Sequence, residues 1–119
     1  MLGFAETARR ARIAKRLTLR DLAEQLDLSV IYVSDMENGR RVPPSAEKAR
    51  EWAKALDLDP DEFAMLALRN KKVIELPIEG QPERKKDVAA MLARSWDSLS
   101  EAQQNQLAEA LSKIMEGKA

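Results

Sequence analysis

Residues 18–39 read TLRDLAEQLDLSVIYVSDMENG and contain two short helical patterns separated by a tight turn. Thr18 is followed three residues later by Asp21, an acidic variant of the capping box that begins helices. The apolar stripe of the helix that follows consists of Leu19, Leu22, Ala23 and Leu26. Because these residues recur at helical spacing, we expect a helix of about eight residues that packs one face on a core.

The second pattern begins at Ser29, a favourable N-cap residue, and ends at Asn38-Gly39, where both residues tolerate a positive φ. Val33 and Met36 are its inward positions. The residues expected to point outward are Val30, Ile31, Ser34 and Asp35.

Val30 and Ile31 are an unusual pair to leave exposed, because fully burying one such side chain gains about 1.5–3 kcal/mol. They indicate contact with another molecule. The alternative is that one of them packs against another part of the protein.

Further helical patterns lie on both sides of this stretch. A first helix covers about residues 5–16, and a fourth covers about residues 46–56 after the breaker Pro43-Pro44. Asp59-Pro60 followed by two acidic residues is a strong start signal for a fifth helix. Five short helices are thus predicted between residues 5 and 69.

The pattern changes after residue 69. Residues 73–78, VIELPI, are rich in β-branched residues and predict a short strand, which Pro77 confines to a sheet edge. A sixth helix is predicted over about residues 83–97, and Ser100 caps a seventh, so that the two form a hairpin. The sequence therefore predicts an all-α fold in three parts: residues 1–70, a strand and linker over 71–82, and the helical hairpin of 83–119.

The composition excludes several classes of function. The 119 residues include no cysteine and no histidine, which removes the usual general base and the commonest metal ligands. We expect neither enzymatic activity nor a cofactor or metal. No run of about 18 apolar residues predicts a membrane span, and we expect a cytoplasmic protein. The net charge is zero, yet residues 9–20 carry six basic and no acidic residues, which suits an anionic partner.

The stretch of residues 18–39 resembles the helix-turn-helix of the Cro and phage-repressor (XRE-like) family of DNA-binding regulators. The resemblance extends over about residues 3–69. Its marks are Leu22-Ala23, Ser29, Val33, Met36, Glu37-Asn38-Gly39, Pro44-Ser45, Ala53, Leu56 and Asp61-Glu62-Phe63. It implies a five-helix phage-repressor-like domain whose third helix enters the major groove of double-stranded DNA.

The resemblance also implies roles for single residues. Base contacts fall on Val30, Ile31, Ser34 and Asp35. Backbone contacts fall on Thr18, Arg20, Ser29, Tyr32, Asn38, Arg40 and Arg41, although the ring of Tyr32 could belong to the core instead. A structural ion pair joins Arg12 to Glu37. One departure is Leu19, where many members have a glutamine that braces a phosphate or the recognition helix.

The C-terminal part lies outside the resemblance. A two-helix hairpin cannot bury two apolar stripes alone, so it needs a second surface. We expect a homodimer interface formed by Ile74, Leu76, Ile78, Leu92, Trp96, Leu107, Leu111, Ile114 and Met115. The alternative is an internal packing layer. The basic clusters at residues 69–72 and 84–86 are interpreted as solvated helix ends. The alternative is that they reach flanking phosphates.

These features together predict a dimeric repressor that reads a palindromic operator. One alternative is the antitoxin of a toxin–antitoxin pair, with the hairpin binding the toxin or another protein antagonist. The other is a protein-interaction module that no longer binds DNA.

Overall fold

In the computed structural model, which describes residues 3–117, the chain divides into two compact units, Met1–Ile74 and Glu75–Ala119. The first unit contains α1 (Phe4–Ala14), α2 (Leu19–Leu26), α3 (Val30–Glu37), α4 (Ala46–Leu56) and α5 (Pro60–Arg69). The second contains α6 (Glu83–Ser95), a 3-10 helix (Trp96–Ser98) and α7 (Glu101–Glu116). Across the described residues the fold is all-α, as predicted. None of these helices is long and apolar enough to cross a bilayer.

Helices α2 to α5 of the first unit begin at side-chain caps. The Thr18 hydroxyl accepts from the Asp21 N–H at 3.0 Å, and the Asp21 carboxylate accepts from the Thr18 N–H at 2.9 Å. Hydrogen bonds from Thr18 to the Asp21 carboxylate, first from the backbone N–H and then from the side chain, hold the pKa of Asp21 below its ordinary value. The side chains of Ser29 and Asp59 cap α3 and α5 by accepting from the backbone N–H three residues later, without a reciprocal bond. Each cap fixes where a helix begins and therefore where its apolar stripe starts.

The core of the first unit is built around Trp52 of α4. Phe4 of α1 meets Trp52 edge-on, with ring centroids 5.8 Å apart, and stacks on Phe63 of α5 at 4.5 Å. Leu22 of α2 and Val33 of α3 are fully buried in the same cluster. Each such side chain stabilises the fold by about 1.5–3 kcal/mol, so all five helices depend on one another for burial.

Gly39 ends α3 and reverses the chain. Its φ is +71°, whereas Asn38 has a φ of −92°, so only the glycine occupies the left-handed region. The Arg40 N–H donates to the Asp35 carbonyl at 2.9 Å, and the Gly39 N–H donates to the Met36 carbonyl at 3.2 Å. These two hydrogen bonds form a Schellman motif, which brings Arg40 back beside the last turn of α3.

The prediction of a strand over residues 73–78 is wrong. The described residues contain no β-strand, and this segment has no regular secondary structure and is exposed. A strand needs a neighbour for its N–H and C=O groups, and no second extended segment is available here. Pro77 also removes one donor. Ile74, Leu76 and Ile78 are consequently exposed.

The helical hairpin also differs from the prediction. The long α-helix stops at Ser95, and the 3-10 helix carries the chain towards α7. Helices α6 and α7 do not pack along each other, and neither contains a buried residue. The large apolar side chains exposed in this unit include Val88, Met91, Trp96, Leu107, Leu111, Ile114 and Met115. Two short amphipathic stripes lie uncovered, as expected when a second surface is missing.

An ion pair connects α1 to α3. Arg12 Nε donates to Glu37 Oε2 at 2.8 Å, and its Nη2 donates to Oε1 at 3.0 Å. A third donor, Nη1, reaches the Leu17 carbonyl in the α1–α2 connection at 2.8 Å. The side chains of Arg12 and Glu37 are only 14% and 3% exposed. The carboxylate therefore depends on this guanidinium for the hydrogen bonds that water would otherwise supply.

We expect Glu37→Gln to destabilise the first unit by about 3–5 kcal/mol, because it leaves the Arg12 charge buried without a counter-charge. The measurement is urea unfolding followed by circular dichroism. Arg10→Gln is the control, since Arg10 forms an exposed pair with Glu6 at 2.9 Å and such pairs contribute about 1 kcal/mol or less. Equal losses in the two variants would contradict a structural role for the buried pair.

Candidate nucleic-acid interface

Helix α3 presents one face to the core and the opposite face outward. Val33, Met36 and Glu37 are buried, so they define the inward face. At 100° per residue, Ile31 and Asp35 lie one turn apart on the side opposite to that face. Ile31 is 72% exposed. Ile31 and Asp35 therefore form the centre of the outward face.

Val30 does not share this position. It is half-buried and packs against the core cluster, so the prediction that Val30 and Ile31 are both exposed is wrong. Val30 is partly buried because it lies on the same side of the helix as Glu37. It precedes Val33 by three residues and Glu37 by seven, and residues at this spacing share one side of a helix. Burial of Glu37 turns that side towards the core. Ile31 alone is the exposed aliphatic residue of α3's first turn.

The outward face ends in a cluster that we call the arginine clamp, formed by Tyr32, Asp35, Arg40 and Arg41. The Asp35 carboxylate lies 3.6 Å from Arg40 Nη1 and 3.4 Å from Arg41 Nε. The Arg41 guanidinium also lies over the Tyr32 ring, 4.9 Å from its centroid. The Tyr32 ring is half-buried and tilted against Trp52 at 6.5 Å, so it combines core packing with this cation–π contact.

Ser34 and Asn38 flank the outward face. The Asn38 side-chain amide donates to the Ser34 carbonyl at 2.8 Å and lies 3.4 Å from the Ser34 hydroxyl. Asn38 thus satisfies the C-terminal end of α3 and holds the Ser34 hydroxyl in place. Its side chain is exposed, which leaves its carbonyl oxygen open to solvent.

Two helix N-termini supply further donors on the first unit. Thr18 and Ser29 accept backbone N–H groups as caps, and each hydroxyl proton remains able to donate outward. Such N-termini also carry a partial positive charge that favours anions. Arg20, at the start of α2, is exposed. Thr18 and Arg20 lie outside the arginine clamp.

Sequence reasoning assigned Asp35 to base contact and the two arginines to phosphate contact, and it missed their pairing. The signal was present: a glycine directly after a helix returns the next residue over the last turn. The basic cluster at residues 84–86 is engaged locally, since Lys85 donates to Gln81 just before α6 at 3.0 Å and Lys86 pairs with Glu83 at 3.1 Å. No group of acidic side chains in residues 3–117 is arranged to hold a metal ion.

Comparisons with known proteins give a family model and a distant structural neighbour. The family model described as Helix-turn-helix matches residues 9–63. A chain of the SinR protein/SinI protein complex is similar over 95% of this chain and 98% of that one, at 15% sequence identity and a TM-score of 0.47. That likeness is too distant to bear on function. No curated protein matches the chain.

The difference in burial between Val30 and Ile31 can be tested by the free energy of unfolding of their alanine variants. We expect Val30→Ala to lower the free energy of unfolding by about 1 kcal/mol, because it removes half-buried methyl groups from the core. Ile31→Ala serves as the matched comparison and should change it by less than about 0.5 kcal/mol, as at other exposed positions. Equal losses in urea unfolding would contradict the burial difference.

Proposed function

We propose that this protein is a sequence-specific transcriptional regulator that binds operator DNA as a dimeric repressor, because residues 9–63 match the Helix-turn-helix family model and resemble the Cro and phage-repressor (XRE-like) family. The observation that carries the proposal is the outward face of α3. It combines an exposed aliphatic side chain, a hydroxyl and a carboxylate with two arginines at its end. Helices of this family dock in the major groove.

The chemistry of this face suits base edges. Ile31 offers apolar contact to a thymine methyl group, and Asp35 accepts from an amino group of cytosine or adenine. Ser34 can donate or accept. The groups around the face suit phosphates: Thr18 and Ser29 at helix N-termini, and the exposed guanidinium of Arg40.

The half-buried Val30 and the hydrogen-bonded Asn38 have less freedom for the roles that the resemblance implies. Val30 is only partly exposed, so less of its side chain can contact a base. The Asn38 amide would have to share its hydrogens between Ser34 and a phosphate. We therefore assign most of the sequence readout to Ile31, Ser34 and Asp35.

The second unit supports a dimer. Leu107, Leu111 and Ile114 follow helical spacing along α7, and all three are exposed. Contiguous apolar patches of this kind are rare on monomers and mark interaction surfaces. A second copy is a suitable partner, because a twofold axis would match two half-sites about one DNA turn apart. Bound over a promoter, such a dimer would repress by occlusion.

The same exposed stripes favour one alternative partner. A toxin or another antagonist with a complementary apolar surface could cover α6 and α7 instead of a second copy. The first unit would keep its DNA-binding role in that case. The oligomeric state of the pure chain separates the two possibilities.

Selection of duplex DNA from a random pool tests the proposed function. We expect enrichment of a twofold-symmetric sequence, with binding that weakens steeply as salt rises because phosphate contacts release counterions. Ile31→Ala should bind the selected operator about 5- to 100-fold more weakly, the range for losing one base contact, with little change on random DNA. Gln25→Ala, at an exposed position of α2, is the control. Absence of any enriched sequence would contradict operator recognition.

Sedimentation equilibrium of the full chain tests the dimer. We expect the natural chain to be dimeric and Leu111→Asp to be monomeric, because a buried carboxylate in an apolar interface is strongly unfavourable. Gln106→Asp places the same charge on exposed α7 and should leave the dimer intact. A monomeric natural chain at micromolar concentration would contradict the homodimer and favour a different protein partner.

A further inference from the structure

Asp35 occupies an unexpected position for a DNA-binding protein. It lies at the centre of the outward face of α3, where a carboxylate would approach a polyanion. Its side chain is only 22% exposed, since the two arginines that follow Gly39 lie against it. The cations best placed to reach DNA phosphates are therefore already paired with an anion of the same domain.

The geometry of the clamp keeps both arginines available. The distances of 3.6 Å and 3.4 Å are longer than those of a charge-assisted hydrogen bond, about 2.7–2.9 Å, so these are loose ion pairs. The Arg40 side chain is 70% exposed. Arg41 has a second anchor in the Tyr32 ring, which does not depend on Asp35. A phosphate can therefore replace the carboxylate without unfolding the loop.

We propose that Asp35 is an internal counter-anion that lowers non-specific DNA binding by competing with phosphates for Arg40 and Arg41. This inference rests on the proposed function. On random DNA, the arginines leave Asp35, and the uncovered carboxylate faces the duplex without a partner. On the operator, a base amino group takes the place of the arginines at Asp35, so that both charges remain satisfied. Asp35 thereby widens the ratio of specific to non-specific affinity.

The competition has a signature in salt dependence. Each phosphate contact contributes a slope of about −0.9 to the plot of log K against log salt concentration. When Asp35 is uncovered on random DNA, it attracts a cation from solution, which cancels about one released counterion. Removing the carboxylate should therefore make the slope for random DNA steeper by about one.

The experiment compares Asp35→Asn with Glu24→Gln in the full chain, on a random-sequence duplex and on the selected operator. Both variants lose one negative charge from an exposed helix of the first unit, and Glu24 forms no ion pair in the described part of the chain. Asp35→Asn also keeps an acceptor oxygen for the loop. We expect it to bind random DNA about three- to tenfold more tightly than Glu24→Gln, with the steeper slope, and to lose preference for the operator. Thermal melting verifies that both variants are folded.

The same substitution in an Arg40→Gln, Arg41→Gln background isolates the mechanism. If Asp35 acts by competing for the arginines, Asp35→Asn and Glu24→Gln should have equal effects in this background. An undiminished gain from Asp35→Asn would overturn the inference, because the carboxylate would then act by direct repulsion of phosphates. Equal affinities and slopes of Asp35→Asn and Glu24→Gln in the otherwise natural chain would also overturn it, while leaving the proposed function standing. A natural chain without salt-dependent DNA binding would remove the proposed function, and this inference with it.

Discussion

The position of α3 depends on one buried interaction, the bidentate ion pair between Arg12 and Glu37. Glu37 belongs to the last turn of α3, and its side chain is almost completely enclosed. A carboxylate in that position must meet its guanidinium, so α3 has little freedom to rotate about its axis. The bond from Arg12 to the Leu17 carbonyl extends the same constraint to the connection that leads into α2. The choice of residues that face outward follows from this ion pair rather than from hydrophobicity alone.

Much of the first unit could be predicted because its signals are local. The caps at Thr18, Ser29 and Asp59 act within three residues, and the structure places helix N-termini directly after each of them. Val30 was wrongly assigned to the outward face because Val33 and Met36 alone do not show which of the neighbouring residues also faces the core. The third inward residue, Glu37, is charged and therefore gave no hydrophobic signal. Its burial is visible only once Arg12, 25 residues earlier, is brought against it.

The errors in the second unit have a different physical origin. The apolar residues of 73–78 alternate like those of a strand. Alternation places their side chains on one side of the segment, but it does not supply a neighbouring strand for the backbone hydrogen bonds. The apolar stripes of α6 and α7 likewise define one face of each helix without supplying a surface that covers it. In the first unit five stripes cover one another, whereas in the second the stripes have no mutual cover along the described chain. A pattern can thus define an apolar face correctly without identifying what covers that face.

The arginine clamp gives a physical explanation of the charge distribution along the chain. A domain that only needed affinity for DNA would gain from a uniformly basic surface, at the cost of binding every duplex equally. Here the carboxylate of Asp35 is already paired with both arginines. In the DNA complex that we propose, binding a phosphate separates these charges, and a hydrogen-bond donor on the DNA compensates Asp35 for the loss. Zero net charge and the basic segment of residues 9–20 are consistent with this proposed arrangement, in which the attraction of the arginines to phosphates is offset by Asp35.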